Sequence, residues 1–108
     1  MKARLAEERA NAAPEGRDQF RSLILAAVAD GATDLHLEPM DSGVRIRRRV
    51  DGALYEAEAL AEDLGQAVIA AGMRMAGLDP DQRSKSQDGR LVIELEDGRI
   101  DCRMSSVP

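Results

Sequence analysis

GVRIRRRVDGALYEAE, residues 43–58, is the stretch from which the fold can be read. From Val44 to Val50 the side chains alternate: Val44, Ile46 and Val50 share one face and Arg45, Arg47 and Arg49 the other, the period of two that a strand imposes. Arg48 interrupts this by falling on the apolar side. Asp51 and Gly52 supply the short hairpin signal, because a tight two-residue turn needs residues that tolerate positive φ. Ala53 to Glu58 is therefore expected to return antiparallel. The product is a β-hairpin with one face for a core and one lined with guanidinium groups.

Upstream, DLHLEP at 34–39 sets Leu35 and Leu37 against Asp34, His36 and Glu38, and Pro39 closes it, which reads as a short strand. Before it, Phe20, Leu23, Ile24, Ala27 and Val28 recur at helical spacing, with Asp18 placed to cap the start and Gly31 to end the helix. Residues 1–17, with Pro14 and Gly16, read as a flexible linker or weak helix. Downstream, Leu64, Val68, Ala71 and Met75 follow a three-to-four spacing from Glu62 to Ala76, stopped by Gly77 and Pro80. Gly65 and Gly72 inside this helix should weaken it by up to ~1 kcal/mol each relative to alanine. A polar loop, 79–89, leads to a strand at 90–96, a turn at Asp97 and Gly98, and a last strand at 99–106 with Ile100, Cys102 and Met104 on its core face. Two helices and five short strands in this order predict an α+β domain, one antiparallel sheet of about five strands with both helices on one face. The sheet's other face is then left to the arginines.

At 108 residues the chain carries one domain. Its apolar residues, 44% of the total, come in short periodic groups, without the run of about 20 that a bilayer-spanning helix needs. Nothing near Met1 reads as a signal peptide, so the expected location is the cytoplasm. One cysteine and one histidine provide neither an internal disulfide nor a zinc ligand set. A net charge of -5 argues against nucleic acid as partner, since phosphate-backbone binding relies on a broad basic face. The crowding of Arg45, Arg47, Arg48 and Arg49 nevertheless leaves room for a small anion.

There is no glycine-rich phosphate loop and no nucleophile–base pair, so catalysis by this chain alone is not expected. His36 has a side chain that titrates near neutrality, but without the partners of a catalytic constellation it reads as a strand residue. The stripe Arg45, Arg47 and Arg49 has two readings: a solvated face paired with Glu38, Glu56 or Glu58, or a phosphate-binding surface, for which the planar guanidinium fork is suited. Arg90, Arg99 and Arg103 would add to that surface if their strands are neighbours. Cys102 reads as a small buried hydrophobe, and Met73 and Met75 as packing residues.

Four strings in order, GATDLHLEP (31–39), RRRVDGALYE (47–56), MAGLD (75–79) with QDGR (87–90) eight residues on, and DGRIDCRMSSVP (97–108), resemble the successive motifs of the type II secretion and type IV pilus assembly ATPases. The resemblance covers about residues 18–108. It implies a PAS-like domain preceding a RecA-like ATPase domain, in a protein that forms hexameric rings with ATP and Mg held mainly by the ATPase domain. The phosphate loop of that family would follow position 108, where the abrupt end of the last strand also suggests a piece of something longer. In the family an arginine in R-V-S-T-x-P reaches the nucleotide phosphates, and Arg103 in RMSSVP takes that place. Arg47 and Arg49 match R-x-R-[VI]-D-G, Arg90 matches P-Q-D-G-R, and His36 matches D-[IL]-H; these imply roles at the phosphates, the domain interface or in the fold. No catalytic base and no metal ligand is carried over. The implied partners are the ATPase domain, neighbouring subunits of the ring and an inner-membrane platform. Two positions depart from the family: Ser86 stands where proline is usual before Q-D-G-R, and Arg48 where an aromatic is usual. The alternative is a stand-alone PAS-like sensor or interaction module without ATPase activity; a separate enzyme working through His36 is the weakest of the three.

Overall fold

In the computed structural model, which describes residues 14–108, the first element is helix α1, Pro14–Ala29. The linker expected before it lies, up to residue 13, outside the described residues. Phe20, Leu23, Ile24 and Ala27 are buried along one stripe, as spacings of three and four residues on a helix dictate. The helix begins four residues before Asp18. Proline is tolerated in the first turn, where its fixed φ suits a helix and its missing N–H would have had no partner, so Asp18 is an exposed interior residue and not the cap. Val28 is 49% exposed and leaves the buried stripe, because the helix ends one residue later and the chain turns away through Gly31 at φ +75°.

Three antiparallel strands follow, β1 (Ala32–Met40), β2 (Gly43–Val50) and β3 (Ala53–Leu60), in the order β1-β2-β3. The β2–β3 turn is built as the sequence demands, with Asp51 at φ 52° and Gly52 at φ 82° and Val50 opposite Ala53. β3 runs to Leu60, two residues beyond the expected strand end. Between Arg47↔Glu56 and Arg45↔Ala59 it carries one residue more than β2. This bulge reverses the facing of the residues after it and sets Leu60 opposite Val44, where both are buried.

Helix α2, Glu62–Met75, and the hairpin β4 (Gln87–Leu95) and β5 (Gly98–Ser106) complete the domain. Both helices lie on one face of the three-stranded sheet. Phe20, Leu23 and Ile24 from α1, Val68 from α2, Val44 and Ile46 from β2, and Leu91 and Ile93 from β4 form one core.

The α+β class with five strands and two helices is as expected, but the strands make two sheets, β1-β2-β3 and β4-β5. The loop after α2 sets the start of β4 against the end of that helix: a Cβ on Gly89 would strike the Ala76 carbonyl and lie 2.8 Å from Leu78 Cδ2. The hairpin thus docks by side-chain burial on the helical layer and forms no ladder with β1 or β3. The turn of this hairpin is also displaced. Leu95 pairs with Gly98, which centres it on Glu96 and Asp97, one residue before the expected Asp97–Gly98. No described helix is long and apolar enough to cross a membrane.

Candidate functional site

On the outer face of the three-stranded sheet, β1 and β2 set Asp34, His36 and Glu38 opposite Arg49, Arg47 and Arg45. Alternation along both strands produces this row of acids facing bases. Glu38 is its hub. Arg47 donates from Nε to Glu38 Oε1 (3.0 Å) and from its terminal nitrogen to Oε2 (2.7 Å), and Arg45 Nε donates to Oε1 at 3.1 Å. Arg45 also reaches Glu56 at 3.6 Å. Arg49 donates to the Gly52 carbonyl at 3.0 Å and has Asp34 3.9 Å away. The stripe is therefore largely neutralised by its own carboxylates, which is the first of its two readings, with Glu38, Glu56 and Asp34 as the acids.

The hydrogen bond from Arg47 above all, and that from Arg45, hold the Glu38 carboxylate below its ordinary value of 4.5, against an opposing effect of burial. A folded-state value below the unfolded one means that the cluster stabilises fully above about pH 4.5 and loses its contribution as pH falls through the folded value. Glu38→Gln is expected to lower Tm by roughly 3–6 °C at neutral pH. The difference should close as pH falls below about 4.5 and the carboxylate is protonated in the folded state as well, as followed by thermal melts through the acid range.

Arg48, the residue out of pattern, points to the helix side with its side chain 19% exposed and pairs with Asp30 just beyond α1. Its Nε is buried with no hydrogen-bond partner among the described residues. Asp30, Arg48, Val50 and Tyr55 help line a shallow pocket of about 290 Å³ there. The aliphatic stem passes over the sheet while the charged head reaches an acid at the rim.

The β4–β5 hairpin is arranged differently. Its inner face buries Leu91 and Ile93 with Ile100, Cys102 and Met104 packed around them. Its outer face sets Arg90 directly across from Arg103, both exposed. Among the described residues neither has a carboxylate within ion-pairing distance. Like charges facing each other across a strand pair are destabilising, and two guanidinium forks side by side suit an anion with several oxygens. Arg99, the third arginine here, lies 3.6 Å from Asp101.

The structure thus divides the expected site residues. Arg47 and Arg49 sit on one sheet among acids; Arg90 and Arg103 sit on the other, brought together by the hairpin register. No ladder joins the two groups into the single arginine surface that neighbouring strands would have made. His36 lies opposite Arg47, half-buried. Cys102 faces inwards, and burial, then the Asp101 carboxylate, push its thiol above the ordinary value. Iodoacetamide near neutral pH is expected to alkylate it at least ~3-fold more slowly than a cysteine in an unfolded peptide, as read by mass spectrometry.

Glu38 was among the acids the sequence set against the arginine stripe, but which arginines it joins depends on register. Two further organising residues were not visible as such in the sequence. Asp88 accepts a hydrogen bond from the Ser105 hydroxyl at 2.6 Å. Gln87 accepts from the Asp79 N–H (2.9 Å) and donates to the Asp79 and Gln82 carbonyls (2.9 and 3.0 Å).

The motifs agree with the comparisons to known proteins. The type II/IV secretion system protein family matches residues 9–108. Type II secretion system protein E of Xanthomonas campestris pv. campestris is 40% identical over 86 residues, covering 80% of this chain and 15% of that protein. The type IV pilus assembly ATPase PilB of Pseudomonas aeruginosa is 37% identical over 87 residues (80% and 15%). Type II secretion system ATPase E of Vibrio cholerae is 34% identical over 89 residues (82% and 18%). The chain spans less than a fifth of the length of each of these relatives.

Proposed function

The chain belongs to the type II/IV secretion system protein family, and from that premise we propose that it is the non-catalytic, PAS-like amino-terminal domain of a hexameric secretion or pilus-assembly ATPase, with Arg103 and Arg90 as its contribution to the nucleotide site. The observation that carries this reading is the Arg90–Arg103 pair: two exposed guanidiniums held opposite each other, neither with a carboxylate within ion-pairing distance among the described residues. Such a pair is costly unless an anion joins it. The donor set fits a polyphosphate, whose oxygens accept paired N–H bonds.

In this reading ATP, with Mg, is held mainly by a RecA-like domain following this chain and supplies the phosphoryl bond whose hydrolysis drives the motor. Arg103 and Arg90 neutralise charge on the phosphates when the two domains close, a contribution that rises as charge spreads in the transition state. The shared core beneath the hairpin carries the resulting movement into the rest of the domain. Arg47 and Arg49, engaged by Glu38, Gly52 and Asp34, are supporting residues of the fold or of a domain interface. The partners are the ATPase domain, the neighbouring subunits of the ring and an inner-membrane platform, with the protein cytoplasmic and peripheral to that membrane. Nucleic acid is not among them.

The test is ATP hydrolysis by this chain and by the full-length protein. Activity confined to the longer protein and dependent on Arg103 supports the reading; a full-length protein without an ATPase domain returns the chain to the sensor or interaction class.

A further inference from the structure

The hairpin turn pairs Leu95 with Gly98, and the Arg90–Arg103 pair lies five pairs further out. Only Gly89–Met104, Asp88–Ser105 and Gln87–Ser106 lie beyond it. The open end of a hairpin is where pairing frays, and two guanidiniums facing each other there push the strands apart. Something must hold that end. The residues Gln87, Asp88 and Gly89 do so in three different ways. Gln87 is tied by three hydrogen bonds to the 79–82 loop. Gly89 allows β4 to press against the Ala76 carbonyl at the end of α2. Asp88 is the one of the three whose side chain crosses to β5, taking the Ser105 hydroxyl at 2.6 Å. Ser105 is two residues from Arg103, and Asp88 two residues from Arg90, so all four side chains share the outer face. By register Asp88 also lies diagonal to Arg103 on that face.

We propose that Asp88 is a positioning residue which, by holding Ser105 across the open end of the hairpin, fixes the spacing of Arg90 and Arg103 that a phosphate group requires. This rests on the reading of those two arginines as phosphate ligands. Asp88 touches no nucleotide itself, and its effect passes through the arginine pair. Arg90 is then the exposed end of a motif whose other three residues lock it in place.

The experiment is steady-state ATP turnover by the full-length protein carrying Asp88→Ala, Ser105→Ala, Ser105→Thr, Arg103→Ala, and Asp88→Ala combined with Arg103→Ala. Asp88→Ala and Ser105→Ala are each expected to lower kcat about tenfold, since small misplacement of a charge-stabilising group is costly, with KM changed less than about twofold. Ser105→Thr, which keeps the hydroxyl, should stay near wild type. In the Arg103→Ala background the further loss from Asp88→Ala should shrink below about twofold, because residues acting through one another are not additive. The full tenfold loss in that background would mean that Asp88 acts on general stability and would overturn the proposal, as would wild-type turnover by Asp88→Ala beside an impaired Arg103→Ala. Should Asp88→Ala fail to fold, Ser105→Ala, which removes one exposed hydroxyl, enters the same cycle with the same two outcomes. Wild-type turnover by Arg103→Ala itself would instead remove the phosphate-ligand reading, and this inference with it.

Discussion

Arg103→Ala in the full-length protein is expected to reduce ATP turnover at least a hundredfold, with KM for ATP changed much less. An arginine that meets the transferring phosphoryl group is worth about 10³–10⁵ in rate where it has been removed from related chemistry, and loss of one charge-stabilising donor costs about 10²–10³. The lower figure applies here because Arg90 stays in place. Arg103→Lys should recover only part of the loss, since an ammonium keeps the charge but not the planar fork. The control is Arg47→Ala. Arg47 already forms two hydrogen bonds with Glu38, so its removal should lower Tm with turnover changed less than about tenfold. The ordering Arg103 far above Arg47 in effect on kcat is what the proposed reading requires. Equal effects would sink the division of the arginines into a ligand pair and a structural cluster, and an inert Arg103→Ala would sink the assignment of Arg103.

Joint substitution of Gly65 and Gly72 by alanine is expected to destabilise the domain by about 2–4 kcal/mol, two overpacking costs of about 2 kcal/mol each less a helix-propensity gain of up to ~1 kcal/mol each. From the sequence the two glycines look like weaknesses in α2 that alanine would repair. The structure reverses the sign. A Cβ on Gly72 would lie 2.7 Å from Cζ and 2.8 Å from Cδ1 of Phe20, with Cε1 nearer still, and one on Gly65 would lie 2.8 Å from Val44 Cβ. Phe20 and Val44 are both buried and have no open space to move into. The glycines are the surface on which α1 and the sheet approach α2. For a domain of this size the double variant should melt roughly 10–25 °C lower, as followed by circular dichroism. A rise in Tm for either single variant would show that the neighbouring side chain can rotate away, leaving helix propensity to decide.

The alternation of residues 44–50 around the Asp51–Gly52 turn, and the helical stripes at Phe20, Leu23, Ile24 and Ala27 and at Val68 and Ala71, were legible because they rest on local rules. A strand has period two, a helix 3.6, and a two-residue turn with both φ positive favours the residues found there. The family motifs were legible for the same reason, being short strings read residue by residue. The sequence by itself thus determined the elements, their order, the α+β class and the arginines that are candidates for the site. It did not determine which of them act together, since register and docking depend on packing at a distance. A turn at Asp97–Gly98 would pair Arg90 with Ser105; the observed turn, one residue earlier, pairs it with Arg103. The division into two sheets likewise follows from Gly89 meeting the end of α2 and from Leu91 and Ile93 entering the common core, contacts that no local pattern encodes. Only the tertiary structure therefore separated the neutralised Arg47 and Arg49 from the opposed Arg90 and Arg103, because cross-strand neighbours are chosen by burial of the opposite face.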